Sequence, residues 1–265
     1  MKNAPIGIFD SGIGGLTIAN AIKKILPNER LIYFGDTKHL PYGEKSKEAI
    51  QSFSESIIEF LTKKKCKVIV IACNSAASIF NQKKTRDLFE APQIFNVIDP
   101  VIQQIAKKYQ TSTIGIIGTK ATIGSKIYEK KIKQVCPNAS VCCLATPLLA
   151  PMIEEEFVKG NISQAIISNY LSNKKLQSIN QLILACTHYP LIQQEIKHYY
   201  NKTVNIINSS DIVAKHIAKE LKQKNILNKN KFPAHHFYVS NYTRSFEKSA
   251  KFFFKQAIKL KEIKL

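Results

Sequence analysis

The sequence predicts an α/β fold: two similar α/β units with mainly parallel sheets, related by pseudo-symmetry. Three observations carry that prediction. Short apolar runs of strand length alternate with helix-length amphipathic stretches along the chain, which is how helices come to cover parallel sheets. The pattern restarts at Asp99-Pro100, where an aspartate precedes a proline suited to the first helical position. Finally, two stretches recur in the same order. Ile6-Gly7-Ile8-Phe9-Asp10-Ser11-Gly12 is echoed by Ile114-Gly115-Ile116-Ile117-Gly118-Thr119. Ile69-Val70-Ile71-Ala72-Cys73-Asn74-Ser75 is echoed by Leu182-Ile183-Leu184-Ala185-Cys186-Thr187-His188.

Taken in order, Pro5-Ile6-Gly7-Ile8-Phe9 reads as the first strand. Asp10-Ser11-Gly12-Ile13-Gly14-Gly15-Leu16-Thr17 is a glycine-rich turn leading into a helix over 19–26. The glycine spacing is not G-x-G-x-x-G and no Walker lysine follows, which argues against a nucleotide loop. Backbone N–H groups in such a turn can approach an anion at the helix start. Asp10 adds a carboxylate there, which would repel phosphate but can hold an amino acid's ammonium; a helix cap is the ordinary alternative. A strand over 29–34 precedes the polar loop Gly35-Asp36-Thr37-Lys38-His39-Leu40-Pro41-Tyr42-Gly43. The spacing of Ile50, Phe53, Ile57, Phe60 and Leu61 predicts an amphipathic helix over 46–65. A strand over 67–72 delivers Cys73, with Asn74 or Ser75 as the cap of a helix over 75–89. A short strand over 93–97 closes this half.

In the second half, Asp99 caps a helix. A strand over 113–117 leads into the polar turn 118–124. Ser140–Ala145 is a strand holding the adjacent Cys142 and Cys143 on opposite faces. The stretch 152–170 is helical, with a kink near Gly160-Asn161. Gln181–Ala185 is a strand ending in Cys186-Thr187-His188-Tyr189-Pro190. A strand over 204–207 and a helix over 210–223 follow. A lysine- and asparagine-rich loop (225–233), a strand over 236–240 and a helix over 246–258 end the chain.

Both echoed strands stop at a cysteine, at the strand end where ligands bind in open α/β sheets. A thiol near a helix N-terminus is favoured as thiolate; a small buried hydrophobe is the ordinary alternative. If the two units face each other, Cys73 and Cys186 bracket one cavity. Two acid/base groups on opposite faces of a small substrate are what inversion of a stereocentre requires. One thiolate takes the α-proton and the opposite thiol supplies another. An unperturbed cysteine titrates near about 8.5. Helix ends or cations are expected to bring these thiols towards neutrality, where general acid/base catalysis works best.

Composition narrows the classes. The 265 residues are 45% hydrophobic and 22% charged, ordinary for a globular chain. No apolar run reaches the length of a membrane span and no signal-peptide core is present, so a cytoplasmic location and no membrane partner are expected. Six scattered cysteines without C-x-x-C or H-E-x-x-H spacing point away from a metal site or a dithiol motif. The net charge of +20 raises a nucleic-acid reading. All but three of the 39 basic residues are lysines, the exceptions being Arg30, Arg86 and Arg244. Specific phosphate and base recognition favours arginine's planar fork, so no specific nucleic-acid partner is expected. A lysine-rich nucleic-acid-binding protein remains the rival from another class, and a thiol-redox protein a third.

The stretches 7–17, 35–43, 72–76 and 185–190 together resemble glutamate racemase, in the aspartate/glutamate racemase family. The resemblance runs from Gly7 to at least Asp211. It implies a cofactor-independent isomerase that interconverts L- and D-glutamate and supplies D-glutamate for peptidoglycan. It also implies two α/β domains with the active site in the cleft between them, and a homodimer. Cys73 and Cys186 match the family's acid/base cysteines. Asp10-Ser11, Tyr42-Gly43 within the Pro41-Tyr42-Gly43 loop, Asn74-Ser75 and Thr187-His188 match its substrate-binding positions. Asp10, His188 and Glu154 match residues that assist the thiols, and Asp36 matches a further acidic position with an equally open structural role. Ser75 stands where threonine is usual and keeps the hydroxyl. The expected division is 1–95 plus 206–265 against 96–205, the second boundary resting on the resemblance. An aspartate racemase or another two-cysteine racemase on the same plan is the nearest alternative.

Overall fold

A computed structural model describes residues 2–81, 92–229 and 234–265. The first half supplies four parallel strands, β1 (Ile6–Asp10), β2 (Leu31–Gly35), β3 (Val68–Ile71) and β4 (Gln93–Asn96). The middle supplies four more, β5 (Thr113–Gly118), β6 (Ser140–Ala145), β7 (Gln181–Ala185) and β8 (Asn205–Ile207). The last two, β9 (His236–Val239) and β10 (Leu260–Glu262), return to the first sheet. That sheet runs β10-β9-β2-β1-β3-β4 and the second runs β6-β5-β7-β8, every pairing parallel.

The order β2-β1-β3-β4 recurs as β6-β5-β7-β8, four strands later in the chain. Register repeats as well. Gly7 lies opposite Ile69 and Phe9 opposite Ile71; Gly115 lies opposite Leu182 and Ile117 opposite Leu184. The sequence echo is therefore a structural one, and it brings Cys73 and Cys186 to equivalent strand ends.

These strands form because a parallel strand covered on both faces wants a continuous apolar run. Every residue of β1, β2 and β3 is buried. The strand period of two then sorts them. Ile6, Ile8, Val68 and Val70 pack with Leu16, Ile18 and Ile22 of helix α1 (Leu16–Ile25). Phe9, Ile69 and Ile71 pack with Ile50, Ile57 and Leu61 of helix α2 (Lys47–Lys63), whose start Ser46 caps by accepting from the Ala49 N–H.

Several expected boundaries move. Helix α3 (Asn74–Ile79) has Cys73 itself as its N-cap, the thiol accepting from the Ala76 N–H at 3.5 Å. Neither Asn74 nor Ser75 caps it, because both already lie in the first turn. Residues 82–89 of the expected helix lie outside the described residues. Helix α4 (Ile98–Lys108) starts before Asp99. Asn96 Oδ1 accepts from the N–H groups of Ile98 and Asp99, each at 2.9 Å, and so does the capping expected of Asp99. The polar turn contains a short helix, α5 (Lys120–Gly124), capped by Thr119, and α6 (Ile127–Val135) follows it unanticipated.

The expected kinked helix is two helices, α7 (Leu149–Glu154) and α8 (Asn161–Leu171). The chain between them passes through Gly160 at φ +102, a backbone region closed to most side chains. After α9 (Gln193–Tyr199) comes α10 (Ser209–Gln223), capped by Asn208. The closing helix α11 (Arg244–Phe254) ends early at Lys255, φ +60, which frees residues 260–262 to add β10 to the sheet. Residues 230–233 of the expected loop lie outside the described residues.

The expected division between 205 and 206 falls inside β8, whose Ile206 and Ile207 pair with Leu182 and Ile183. The chain then re-crosses, and α10 packs on α1 through Val213, Ala214 and Ile217. Among the described residues no helix is long and apolar enough to cross a membrane.

Candidate active site

The carboxyl ends of the two sheets are apposed. Cys73 is 5% exposed and Cys186 6%, and both line one cavity of about 50 Å³. Ser11, Pro41, Tyr42, Gly43, Asn74, Ser75, Glu154, Thr187 and His188 line it too. Every sequence-predicted site residue except Asp10 thus contributes to the lining of this one cavity.

Asp10 is fully buried behind that lining. Its Oδ2 accepts from the Gly12 N–H at 3.1 Å and its Oδ1 accepts from Thr187 Oγ1 at 3.4 Å. Gly15 makes the placement feasible, since a Cβ there would lie 2.5 Å from the Asp10 Cβ. The carboxylate is therefore not among the groups lining the cavity, where an ammonium would meet it. Burial pushes its carboxyl up, against the opposing pull of His188 and the N–H groups of Gly12 and Gly15.

The two thiols have different surroundings. Cys73 Sγ donates to Ser11 Oγ at 3.5 Å. Burial, and next the Asp10 charge, push its thiol up to about 12, despite the N–H of Ala76. The expectation of a thiol brought towards neutrality by a helix start therefore fails at Cys73. Desolvation of a fully buried sulfur outweighs one weak backbone hydrogen bond. Beside Cys186, His188 Nδ1 lies 3.6 Å from Sγ and Nε2 lies 2.8 Å from Glu154 Oε1. Burial opposes a charged His188, but its hydrogen bonds and attraction to Cys186 and Glu154 prevail and hold it well above its ordinary value. Sulfur, imidazole and carboxylate thus form a short chain along which a proton can move.

Side chains reach across the junction between the units. Thr17 Oγ1 donates to the Thr187 carbonyl at 2.9 Å, Ser75 Oγ and Thr119 Oγ1 are 2.8 Å apart, and Tyr128 Oη donates to Asn74 Oδ1 at 2.7 Å. Gly14 permits this closeness: a Cβ on it would come within 2.4 Å of His188 Cε1 and 2.6 Å of Thr187 Oγ1.

Asp36 holds the 37–43 loop instead of facing the thiols. It accepts from Tyr42 Oη at 2.6 Å and Ser240 Oγ at 2.7 Å, and His39 Nδ1 lies 2.9 Å away. Burial and then the Asp36 charge push the Tyr42 phenol far above its ordinary value. Tyr42 therefore lines the cavity with its hydroxyl already engaged.

Thr119 and Tyr128 were not anticipated. Thr119 lines the cavity and bonds Thr122 as well as Ser75. The echo contained the signal, because Thr119 occupies the place that Ser11 holds after β1. Tyr128 sits on the helix absent from the sequence reading and carried no such signal. Among the described residues no group of three or more His, Cys, Asp or Glu side chains is arranged to hold a metal ion.

Comparison with known proteins finds relatives along most of the chain. Residues 16–217 match the Asp/Glu/Hydantoin racemase family. A glutamate racemase of Caldanaerobacter subterraneus subsp. tengcongensis is 35% identical over 252 residues, spanning 95% of this chain and 91% of its own. The crystal structure of the Francisella tularensis glutamate racemase in complex with D-glutamate superposes with a TM-score of 0.92 at 36% identity, covering 99% of this chain and 98% of the other. A glutamate racemase isoform from Bacillus anthracis does so at 0.93 and 34%, covering 100% and 99%.

Proposed function

The chain belongs to the Asp/Glu/Hydantoin racemase family, and from that premise we propose that it interconverts L- and D-glutamate by proton transfer at Cys73 and Cys186. The observation that carries this reading is the pairing of two thiols, delivered by opposite sheets, on one narrow cavity. Each thiol has its own charged neighbour.

In one direction the Cys186 sulfur takes the α-hydrogen as a proton. The C–H electron pair stays on the α-carbon and spreads into the carboxylate. The Cys73 thiol then gives its proton to the opposite face, forming the new C–H bond and leaving a thiolate. In the reverse direction the roles exchange. Cys73, whose thiol is pushed up to about 12, enters as the proton donor. His188, held protonated by its neighbours, offsets negative charge on Cys186, and Glu154 holds the imidazole in line. Each well-placed acid or base is worth about 10²–10⁴-fold in rate.

The carboxylates of glutamate are held by donors already on the walls. Asn74 Nδ2 is buried without a partner, and Ser11, Ser75, Thr119 and Thr187 line the same cavity. Fixed donors of this kind stabilise charge as the carbanion forms. The D-glutamate produced serves peptidoglycan synthesis, and the family resemblance extends the proposal to a cytoplasmic homodimer.

The test is conversion of D-glutamate to L-glutamate by the purified protein without added cofactor, followed by circular dichroism. α-Proton exchange in deuterated water is compared for glutamate and aspartate. Exchange on glutamate is expected; exchange confined to aspartate would assign the substrate to the alternative. Light scattering of the purified protein should give a dimer mass.

A further inference from the structure

We infer that Tyr128 is a positioning residue for substrate binding, acting through the side-chain amide of Asn74. The inference rests on the glutamate-binding reading of the cavity. Tyr128 belongs to α6 in the second sheet's half, whereas Asn74 opens α3 in the first. Both are 2% exposed. The Tyr128 hydroxyl donates to Asn74 Oδ1 at 2.7 Å across the junction. Asn74 lines the cavity between the thiols, and its Nδ2 is buried with no hydrogen-bond partner.

Buried amide donors are satisfied in the great majority of proteins. An unmatched one on the wall of a binding cavity is matched when an acceptor enters. A carboxylate is such an acceptor, provided the amide presents nitrogen and not oxygen to it. An asparagine amide can turn either edge outwards, and the wrong edge would set two acceptors against each other. Tyr128 settles the choice. Its phenol keeps its proton, because burial and then the charges of Asp99 and Cys186 push its ionisation far above ordinary. A permanent donor beside Oδ1 keeps the oxygen turned to α6 and leaves Nδ2, the unpaired edge of a side chain that lines the cavity, for the substrate. The donor for the substrate is therefore set by a residue of the opposite half, and it is in place only when the halves are apposed.

Tyr128→Phe keeps the ring and removes the hydroxyl. Loss of one charge-assisted contact to the substrate is expected to raise KM for both D- and L-glutamate by about tenfold. The change should leave kcat within about threefold, the pattern of lost uniform binding. In an Asn74→Ala background the same substitution should change KM no further, because its effect passes through the amide. A KM unchanged in Tyr128→Phe, or raised equally in the Asn74→Ala background, overturns the inference. Thermal melting checks that the variant is folded. Should it be too unstable to assay, the wild-type protein still decides. The Asn74 side-chain NH2 resonances should shift on addition of D-glutamate, and absence of that shift overturns the inference. If the wild-type protein fails to racemise glutamate at all, the underlying reading fails; if it does and the Tyr128 results fail, only this inference falls.

Discussion

The two halves of the molecule place a cysteine at the same strand end and then surround it differently. In the shared register, Ser11 corresponds to Thr119 and Asn74 to Thr187, so hydrogen-bonding groups occupy matching places. Two correspondences break the match. Asp10 stands where the second half has Gly118, and His188 stands where the first half has Ser75. The first thiol therefore has a carboxylate behind it and the second an imidazole beside it. A duplicated scaffold supplies the two-faced geometry that inversion needs. The unequal charges distinguish two thiols that a symmetric scaffold would leave alike.

The most severe way to break the comparison is to remove one thiol. Cys73→Ser and Cys186→Ser should each lower racemisation by at least about 10³-fold, since each takes away one acid/base group. Each should still eliminate from one enantiomer of a glutamate analogue carrying a leaving group at the β-carbon, and the two variants should select opposite enantiomers. Full racemase activity in either would refute the two-thiol mechanism. L- and D-glutamate have equal free energies in water, so any variant must lower kcat/KM equally in both directions. The comparison therefore has to be read from single-face reactions.

His188→Asn comes next. It keeps a polar side chain but ends the link between Cys186 and Glu154, and about a hundredfold loss of kcat is expected. Proton exchange at the face served by Cys186 should suffer more than exchange at the other face, measured by deuterium incorporation into each enantiomer at early times.

Asp10→Asn is a smaller change that acts on the other half. The Cys73 thiol is pushed up to about 12, and the Asp10 charge is the second cause after burial. Removing that charge should move its titration down, seen as thiolate absorbance or alkylation of Cys73 at lower pH. The sign for stability follows. A thiol whose folded value lies above its unfolded value holds its proton longer when folded, so its stabilising contribution is lost as pH rises from about 9 to about 12. In Asp10→Asn that loss should shrink. An unmoved Cys73 titration would remove Asp10 from the account.

The smallest effect is expected from Ser75→Thr. The hydroxyl that meets Thr119 at 2.8 Å is retained and one methyl is added. KM should change by less than about threefold, with at most about 1–3 kcal/mol lost to crowding. A larger change in KM would mean that this wall is tighter than Ser75 requires.

Much of this arrangement was legible along the chain, for identifiable reasons. Strands covered on both faces have continuous apolar sequences, so β1, β3, β5 and β7 and their terminal residues were readable locally. The echo located the second cysteine by analogy with the first. Two of the elements that escape do so for local reasons. Helix α6 follows a left-handed Lys126, φ +57, which interrupts the periodicity that would have announced it. Helix α7 is only six residues long, too short to declare a period of its own. Asp10 differs: a strand-end carboxylate ordinarily faces the ligand, and its burial here depends on Gly12, Gly15 and the distant Thr187 closing round it.

By itself, the sequence determined the fold class, the repeated strand plan and the two strand ends that carry the thiols. Those follow from interactions between residues close together in the chain, whose spacing can be counted. The tertiary structure alone decided which groups meet: Thr17 with Thr187, Tyr128 with Asn74 and Ser75 with Thr119, at separations of 170, 54 and 44 residues. It also decided that Cys73 is desolvated near the Asp10 carboxylate, and that Glu154 comes to the imidazole that His188 presents two residues after Cys186. Burial and charge at a site are sums over everything that packs around it, and no short stretch of chain contains those neighbours.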